Sequence, residues 1–253
     1  RMLADGDYQL YPHDFADAPL ELRRLGENLD HMAAAIAERD RALRRALLDK
    51  SAMAREVNHR VKNNLQMITS LVRLQAARLT EPFAKRLMLK TGLRVSALAL
   101  VHRLIYELDG SERGLVDTEQ LFRELCAQLE GSFLGSPNVE VRCQSQAGSI
   151  SGDQAVAAAL VVVEAVTNAF QHGFPDGTFG SIDVSLTAEG RNAWLKIRDN
   201  GVGSLDKAAS PGMGHDMMQA LAEQLGGQIE ISETQGGGRT VGVKFRMSRT
   251  VLI

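Results

Sequence analysis

The sequence predicts a multidomain chain, an α-helical hairpin followed by an α+β two-layer sandwich, and three observations carry that reading. An apolar series of Leu22, Leu25, Leu29, Met32 and Ile36 is spaced 3, 4, 3, 4 and continues through Leu43 and Leu47, which is the seam of a coiled coil. No proline stands between Pro19 and Pro82, so one helix can run from about 20 to 79, stop at Thr80-Glu81-Pro82, and be followed by a second over 83–108. After Asp109-Gly110 the pattern changes to helices and neighbouring strands mixed without strict βαβ alternation.

Each element of the second half has its own signal. In order they are a helix over 117–129, a strand over 139–144, a helix over 154–171, strands over 182–187 and 193–198, a helix from about 213 to 225, and strands over 228–232 and 240–245. The first half is expected to be a hairpin with one apolar face. Such a hairpin completes its core by forming a homodimeric four-helix bundle, although closure within one chain is the alternative. The expected domains are a signal-transmitting helix over 1–50, the hairpin over 51–110 and the sandwich over 111–253.

Composition narrows the function classes. A chain of 253 residues with 44% apolar and 24% charged content suits one to two ordinary globular domains. The net charge of -2 provides no basic field to attract nucleic acid or an anionic membrane. Cys126 and Cys143 have no CxxC spacing, which fits a reducing, cytoplasmic setting and leaves no thiol metal site. No run approaches the ~20 apolar residues of a membrane span. The chain begins with Arg1 rather than Met, so an upstream portion is expected.

Four short segments of the second half belong together: "EAVTNAFQH" (164–172), "DNGVG" (199–203), "GMG" (212–214) and "GGGRT" (236–240). On the 154–171 helix, Val156, Leu160, Val163, Thr167 and Phe170 form an inward stripe, while Glu164, Asn168 and His172 lie four apart on an adjoining polar line. Asn168 offers a neutral oxygen of the kind Mg²⁺ accepts alongside waters and phosphate oxygens. Alone, the line could equally face water. In "NAWLKIRDNGVG" the period of two sets Leu195, Ile197 and Asp199 on one face and Trp194, Lys196 and Arg198 on the other. A carboxylate ending the apolar side can accept a hydrogen bond from a purine amino group, with Gly201 and Gly203 letting the backbone approach the base. Alone, Asp-Asn-Gly is also a common turn. The first amides of the helix opened by "PGMG" can bind phosphate, and "GGGRT" alone could be a hairpin tip.

With these segments in this order, the region from about 114 to 247 resembles the ATP-binding domain of the histidine kinase, gyrase and Hsp90 superfamily, the Bergerat fold. The match is an N box at Glu164, Asn168 and His172 and three glycine boxes, at 199–203, 212–214 and 236–240. The resemblance implies that ATP is bound, that Asn168 coordinates Mg²⁺ and that Asp199 recognises adenine. It also implies that Gly201, Gly203, Gly212, Met213, Gly214, Gly238 and Thr240 shape the nucleotide site and its lid. Only eight residues, 204–211, separate the first two glycine boxes, so the lid is short.

The upstream stretch "EVNHRVKNNLQMITSLVRLQ" resembles the phosphoacceptor helix of the HWE and type-2 HisKA histidine kinases, a likeness covering about 54–108. It implies that His59 is phosphorylated and passes the phosphoryl group to an aspartate on the receiver domain of a response regulator. Helix geometry agrees: Val57, Val61, Leu65, Ile68 and Val72 cluster on one face, and His59 projects about 160° from its centre, toward solvent. Glu56 and Asn63 share its side at i-3 and i+4. Glu56 is a candidate to fix the imidazole tautomer or take its proton, and Asn63 to orient water for the reverse, dephosphorylating reaction. An exposed histidine without function is the alternative for this helix taken alone.

One departure bears on direction. Many members of the group carry lysine before the last N-box histidine, where this chain has Gln171. Loss of that charge near the phosphates keeps open a phosphatase-biased or weakly catalytic signalling scaffold. At the other end, "MLADGDYQL" and "APLELRRLGENLDHMAAAIAERD" resemble the later part of a HAMP module, and a plain dimeric coiled coil explains the same seam. A HAMP module would imply a membrane-anchored sensor upstream, in the bacterial inner membrane.

Overall fold

The computed structural model describes residues 19–107, 114–132, 138–146, 148–174, 178–202, 213–234 and 237–248. The chain divides into two compact units, residues 1–59 and 60–253. Helix α1, Leu20–Arg78, begins in the first and ends in the second. "MLADGDYQL", the start of the HAMP-like pattern, lies outside the described residues.

In the first unit the described chain from Leu20 onward is helix. Glu21 in the first turn of α1 and Arg78 in the last complement the helix dipole, and Asp40 pairs with Arg44 one turn on at 2.8 Å. The seam residues Leu25, Leu29, Met32, Ile36 and Leu43 are each about half exposed. One chain alone therefore leaves this apolar stripe uncovered.

The second unit holds the end of α1, the rest of the hairpin and the sandwich. Helix α2, Pro82–Glu107, opens with proline at its first position, where the missing amide costs nothing. Glu81 caps it, its carboxylate accepting from the amides of Phe83 and Ala84. The Thr80-Glu81-Pro82 stop expected for the first helix is thus also the start signal of the second. Val72 of α1 lies against Gly92 of α2.

Beyond the hairpin come β1 (Leu115–Asp117), α3 (Thr118–Ser132), β2 (Val139–Ser145), β3 (Ser149–Ser151), α4 (Gly152–His172), β4 (Gly180–Glu189), β5 (Asn192–Asp199), α5 (Met213–Gln224), β6 (Gln228–Glu233) and β7 (Arg239–Arg246). Five strands form one sheet in the order β2-β4-β5-β7-β6, with β2 and β4 parallel and the other pairs antiparallel. The α+β sandwich read from the sequence is the observed architecture. Alternation decides its faces: Ile182, Val184, Leu186, Leu195, Ile197 and Val243 are buried under the helices. Trp194, 40% exposed, stands on the opposite face, where the ammonium groups of Lys196 and Lys244 lie 5.2 and 4.9 Å from its ring.

Two three-residue strands escaped the sequence reading because three residues are too few to display a period. β1 and β3 pair antiparallel, Val116 opposite Ile150, and both lead directly into helices. Asp117 caps α3 through the Gln120 amide at 2.8 Å, and Ser151 caps α4 through the Gln154 amide at 3.3 Å. This small sheet fixes where α4 begins. Gln154, 6% exposed, then ties α4 to the far end of β7 by donating to the Arg246 carbonyl and accepting from the Ser248 amide.

Two features differ from a plain amphipathic sandwich. Leu93, Ala97, Leu100, Val101 and Leu104 of α2 are buried in the same core as the sandwich residues, so the second half of α2 packs on α3 and α4 as an additional layer. As a result α4 is enclosed nearly all round, with residues 157–167 all buried. The inward stripe expected on it is too narrow. Contrary to the expectation that no run approaches a membrane span, α4 is long and apolar enough to pass as one by composition, and its burial between sheet and helices accounts for that apolarity.

Candidate functional site

The site is built where α4, the end of β5, the start of α5 and the turn before β7 converge. Asp199 is the last residue of β5 and only 6% exposed. The strand period turns it to the same side as Leu195 and Ile197, as the sequence predicts. Its Oδ1 accepts from the Gly201 amide at 3.0 Å, which fixes the carboxylate in the turn. The turn itself is tied down by the Asn200 amide on the Ser181 carbonyl at 3.2 Å and by the Ser181 amide on the Asn200 side chain at 2.8 Å.

Around Asp199 the backbone packs against itself. The Val202 amide donates to the Gly173 carbonyl at 2.8 Å, and a Cβ on Gly201 would run into that carbonyl. Gly238, at φ +84°, lies so close to the Asp199 carbonyl that a side chain there would collide with it. Gly201 and Gly238 are therefore required for backbone contact, a tighter role than freedom to approach a base. Gly173, the residue just after α4, completes the cradle and was missed by the sequence reading. Thr240, near the start of β7, shares a hydroxyl hydrogen bond of 3.0 Å with Thr234.

Glu164 and Asn168 lie one turn apart on α4, but they do not face water as a polar line. Glu164 is fully buried, and α2 meets it with two cations. Arg94 Nε donates to Glu164 Oε1 at 2.5 Å, and Lys90 Nζ stands 2.6 Å from Oε2. The second approach is an ion pair without hydrogen-bond alignment, and Oε2 is the only buried polar side-chain atom among the described residues without a hydrogen bond. Lys90 also donates to Asn168 Oδ1 at 3.1 Å. A Cβ on Gly214, in the first turn of α5, would sit within 4 Å of Asn168, Glu164 and Lys90 together. Asn168 thus turns its oxygen toward a cation position at the foot of α5. Lys90 and Arg94 also escaped the sequence reading, since they lie 78 and 70 residues from their partners.

The remaining candidates are placed as follows. Gln171 and His172 are exposed in the last turn of α4. Gly203 and Gly212 lie outside the described residues, and Met213 is described only as the backbone that opens α5. His59, Glu56 and Asn63 are exposed on α1. Among the described residues no group of three or more His, Cys, Asp or Glu side chains could hold a metal. The donor set at Asn168 fits a divalent cation that takes most of its ligands from water and phosphate.

Comparison with known proteins supplies the relationship. Residues 56–133 match the profile of a histidine kinase family of the type-2 HisKA kind, and residues 153–249 match that of the histidine kinase-, DNA gyrase B- and HSP90-like ATPases. The chain belongs to the histidine kinase family. It is 31% identical over 213 residues to the sensor histidine kinase PdtaS of Mycobacterium tuberculosis, covering 81% of this chain and 41% of that protein. It is 27% identical over 192 residues to blue-light-activated histidine kinase 2 of Erythrobacter litoralis, covering 74% and 54%. The chain therefore spans about half or less of these relatives. In fold it is similar to the histidine kinase domain of the Erythrobacter litoralis EL346 blue-light-activated kinase, with TM-score 0.56, 22% identity, and 81% and 94% of the two chains covered. Glu164, Asn168 and the Asp199 cradle lie inside the matched ATPase region and His59 inside the other.

Proposed function

We propose that this chain is the catalytic core of a two-component sensor histidine kinase that phosphorylates itself on His59 and passes the phosphoryl group to an aspartate of a response regulator. The observation that carries the proposal is the buried Asp199 carboxylate, held in a cradle of glycine backbones beside the cation-facing Asn168. A carboxylate there can accept a hydrogen bond from the exocyclic amino group of adenine. Asn168 and phosphate oxygens would hold Mg²⁺, which supplies charge neutralisation on the triphosphate.

The chemistry then falls to His59. A ring nitrogen lone pair of neutral His59 forms the bond to the γ-phosphorus, the bond to the bridging oxygen breaks, and ADP leaves with that electron pair. Glu56 fixes the imidazole tautomer or takes the proton released. In the second step an aspartate oxygen of the regulator forms the new bond to phosphorus and the P–N bond breaks. In the reverse sense Asn63 orients water toward the phosphorylated regulator. The chain works as a homodimer through its hairpin, in the cytoplasm. Uncovered apolar residues of the hairpin support the dimer: Ile68, Leu71, Phe83 and Leu87 are all 45% exposed or more in one chain.

The deciding experiment is incubation with γ-labelled ATP and Mg²⁺, with His59→Ala alongside. Acid-labile label on the parent and none on the variant is the expected result. Equal labelling of both would sink the assignment of His59, and nucleotide binding without label on either would favour the phosphatase-biased scaffold.

A further inference from the structure

The cation cluster on Glu164 and Asn168 has no part in the chemistry above, yet it lies at the oxygen proposed to hold the metal. Lys90 Nζ is 3.1 Å from Asn168 Oδ1 and 2.6 Å from Glu164 Oε2. Its side chain is only 12% exposed, so this is a seated ammonium and not a surface lysine passing by. A Cβ at Gly214 would lie 3.8 Å from the same nitrogen. That places it beside the first turn of α5, where the helix offers free amides to phosphate.

Resting on the reading of this site as the ATP site, we propose that Lys90 is a built-in competitor for the divalent cation, occupying the Asn168 oxygen until nucleotide and metal displace it. Mg²⁺ binds oxygen at about 2.0–2.1 Å and demands near-octahedral order. An ammonium on the same oxygen would then stand within a few Å of a doubly charged ion, beside the buried Glu164, where repulsion is screened less than at an open surface. The two cations therefore exclude one another at Asn168. Because Lys90 belongs to α2, loading the site removes one of the two charged ties between α2 and Glu164. Arg94 at 2.5 Å keeps the other. Occupancy of the nucleotide site is thereby coupled to the grip of the hairpin on the sandwich.

Substitution of Lys90 leaves the second cation, Arg94, on the buried carboxylate. Glu164 retains Arg94 on Oε1, so Lys90→Met leaves the carboxylate with one charged partner, and a thermal melt of the variant checks that it folds. Binding of the non-hydrolysable analogue AMP-PNP would be measured by calorimetry on the parent, Lys90→Met and Lys90→Arg, with Mg²⁺ and with chelator. The expected result is binding about 5-fold or more tighter for Lys90→Met, present with Mg²⁺ and absent in chelator, and little changed for Lys90→Arg. Equal or weaker binding by Lys90→Met would overturn the competitor and make Lys90 an ordinary contact to phosphate. Absence of binding by parent and variant alike would instead remove the ATP site and the competitor with it.

A second measurement needs no substitution. An amine-reactive reagent followed by mass spectrometry should label Lys90 faster once AMP-PNP and Mg²⁺ are added, because its oxygen partner is taken. Unchanged or slower labelling in a protein shown to bind the analogue would overturn the proposal.

Discussion

Asp199 illustrates how far a single residue could be read. Strand period alone put its carboxylate on the apolar side, and the structure finds it 6% exposed there. What period could not supply is the neighbour that holds it, the Gly201 amide at 3.0 Å. Replacing Asp199 by Asn keeps the shape and puts an amide where the acceptor should be. ATP affinity is expected to fall by about 10-fold or more, the worth of one hydrogen bond to a charged group. Titration of a fluorescent ATP analogue, with a thermal melt to confirm folding, checks this. Unaltered affinity would remove Asp199 from base recognition. Glu164 gives the opposite lesson. Spacing placed it beside Asn168, but its complete burial between Lys90 and Arg94 followed from α2, which no local pattern connects to α4.

Among the elements, helix starts were written in the sequence and helix surroundings were not. Pro82 and Glu81 define the beginning of α2 by local chemistry: a residue without an amide, then a carboxylate on the next free amides. The Ala84 and Phe83 amides hold the Glu81 carboxyl below its ordinary value of 4.5. Stabilisation from a lowered carboxylate pKa is fully present above the unfolded value and is lost as pH falls through the folded one. The α2 cap should therefore weaken only below about pH 4.5. Hydrogen exchange at the Phe83 and Ala84 amides should accelerate there in the parent, relative to its intrinsic pH dependence, and Glu81→Gln should show no such step. α4 shows the limit of the same logic. Its cap at Ser151 is local, whereas burial on every side depends on the sheet, α3, α5 and α2 arriving around it.

The whole molecule carries its most exposed information on the hairpin. The apolar face predicted for α1 is present, with Val57 57% and Ile68 45% exposed, while Val72 is half-buried against Gly92. Isolated apolar residues on a surface mean little, but a continuous stripe on two helices is a face that a second copy can cover. Ile68→Glu is expected to shift the protein from dimer to monomer in light scattering or sedimentation, with melting of the sandwich little changed. A dimer that persists would place the contact elsewhere.

The sequence by itself determined the order and kind of the long elements, the inward side of β5, the glycines at the turns and the exposure of His59. All of these follow from period and local backbone chemistry, which act within a few residues. Tertiary structure decided the third layer made by α2 and the backbone contacts that make Gly173, Gly201 and Gly238 irreplaceable. It also decided the cations that reach Glu164 and Asn168 from 70 and 78 residues away. Such pairings depend on which helix packs on which, a choice made by the summed burial of many side chains and left unmarked at any one of them.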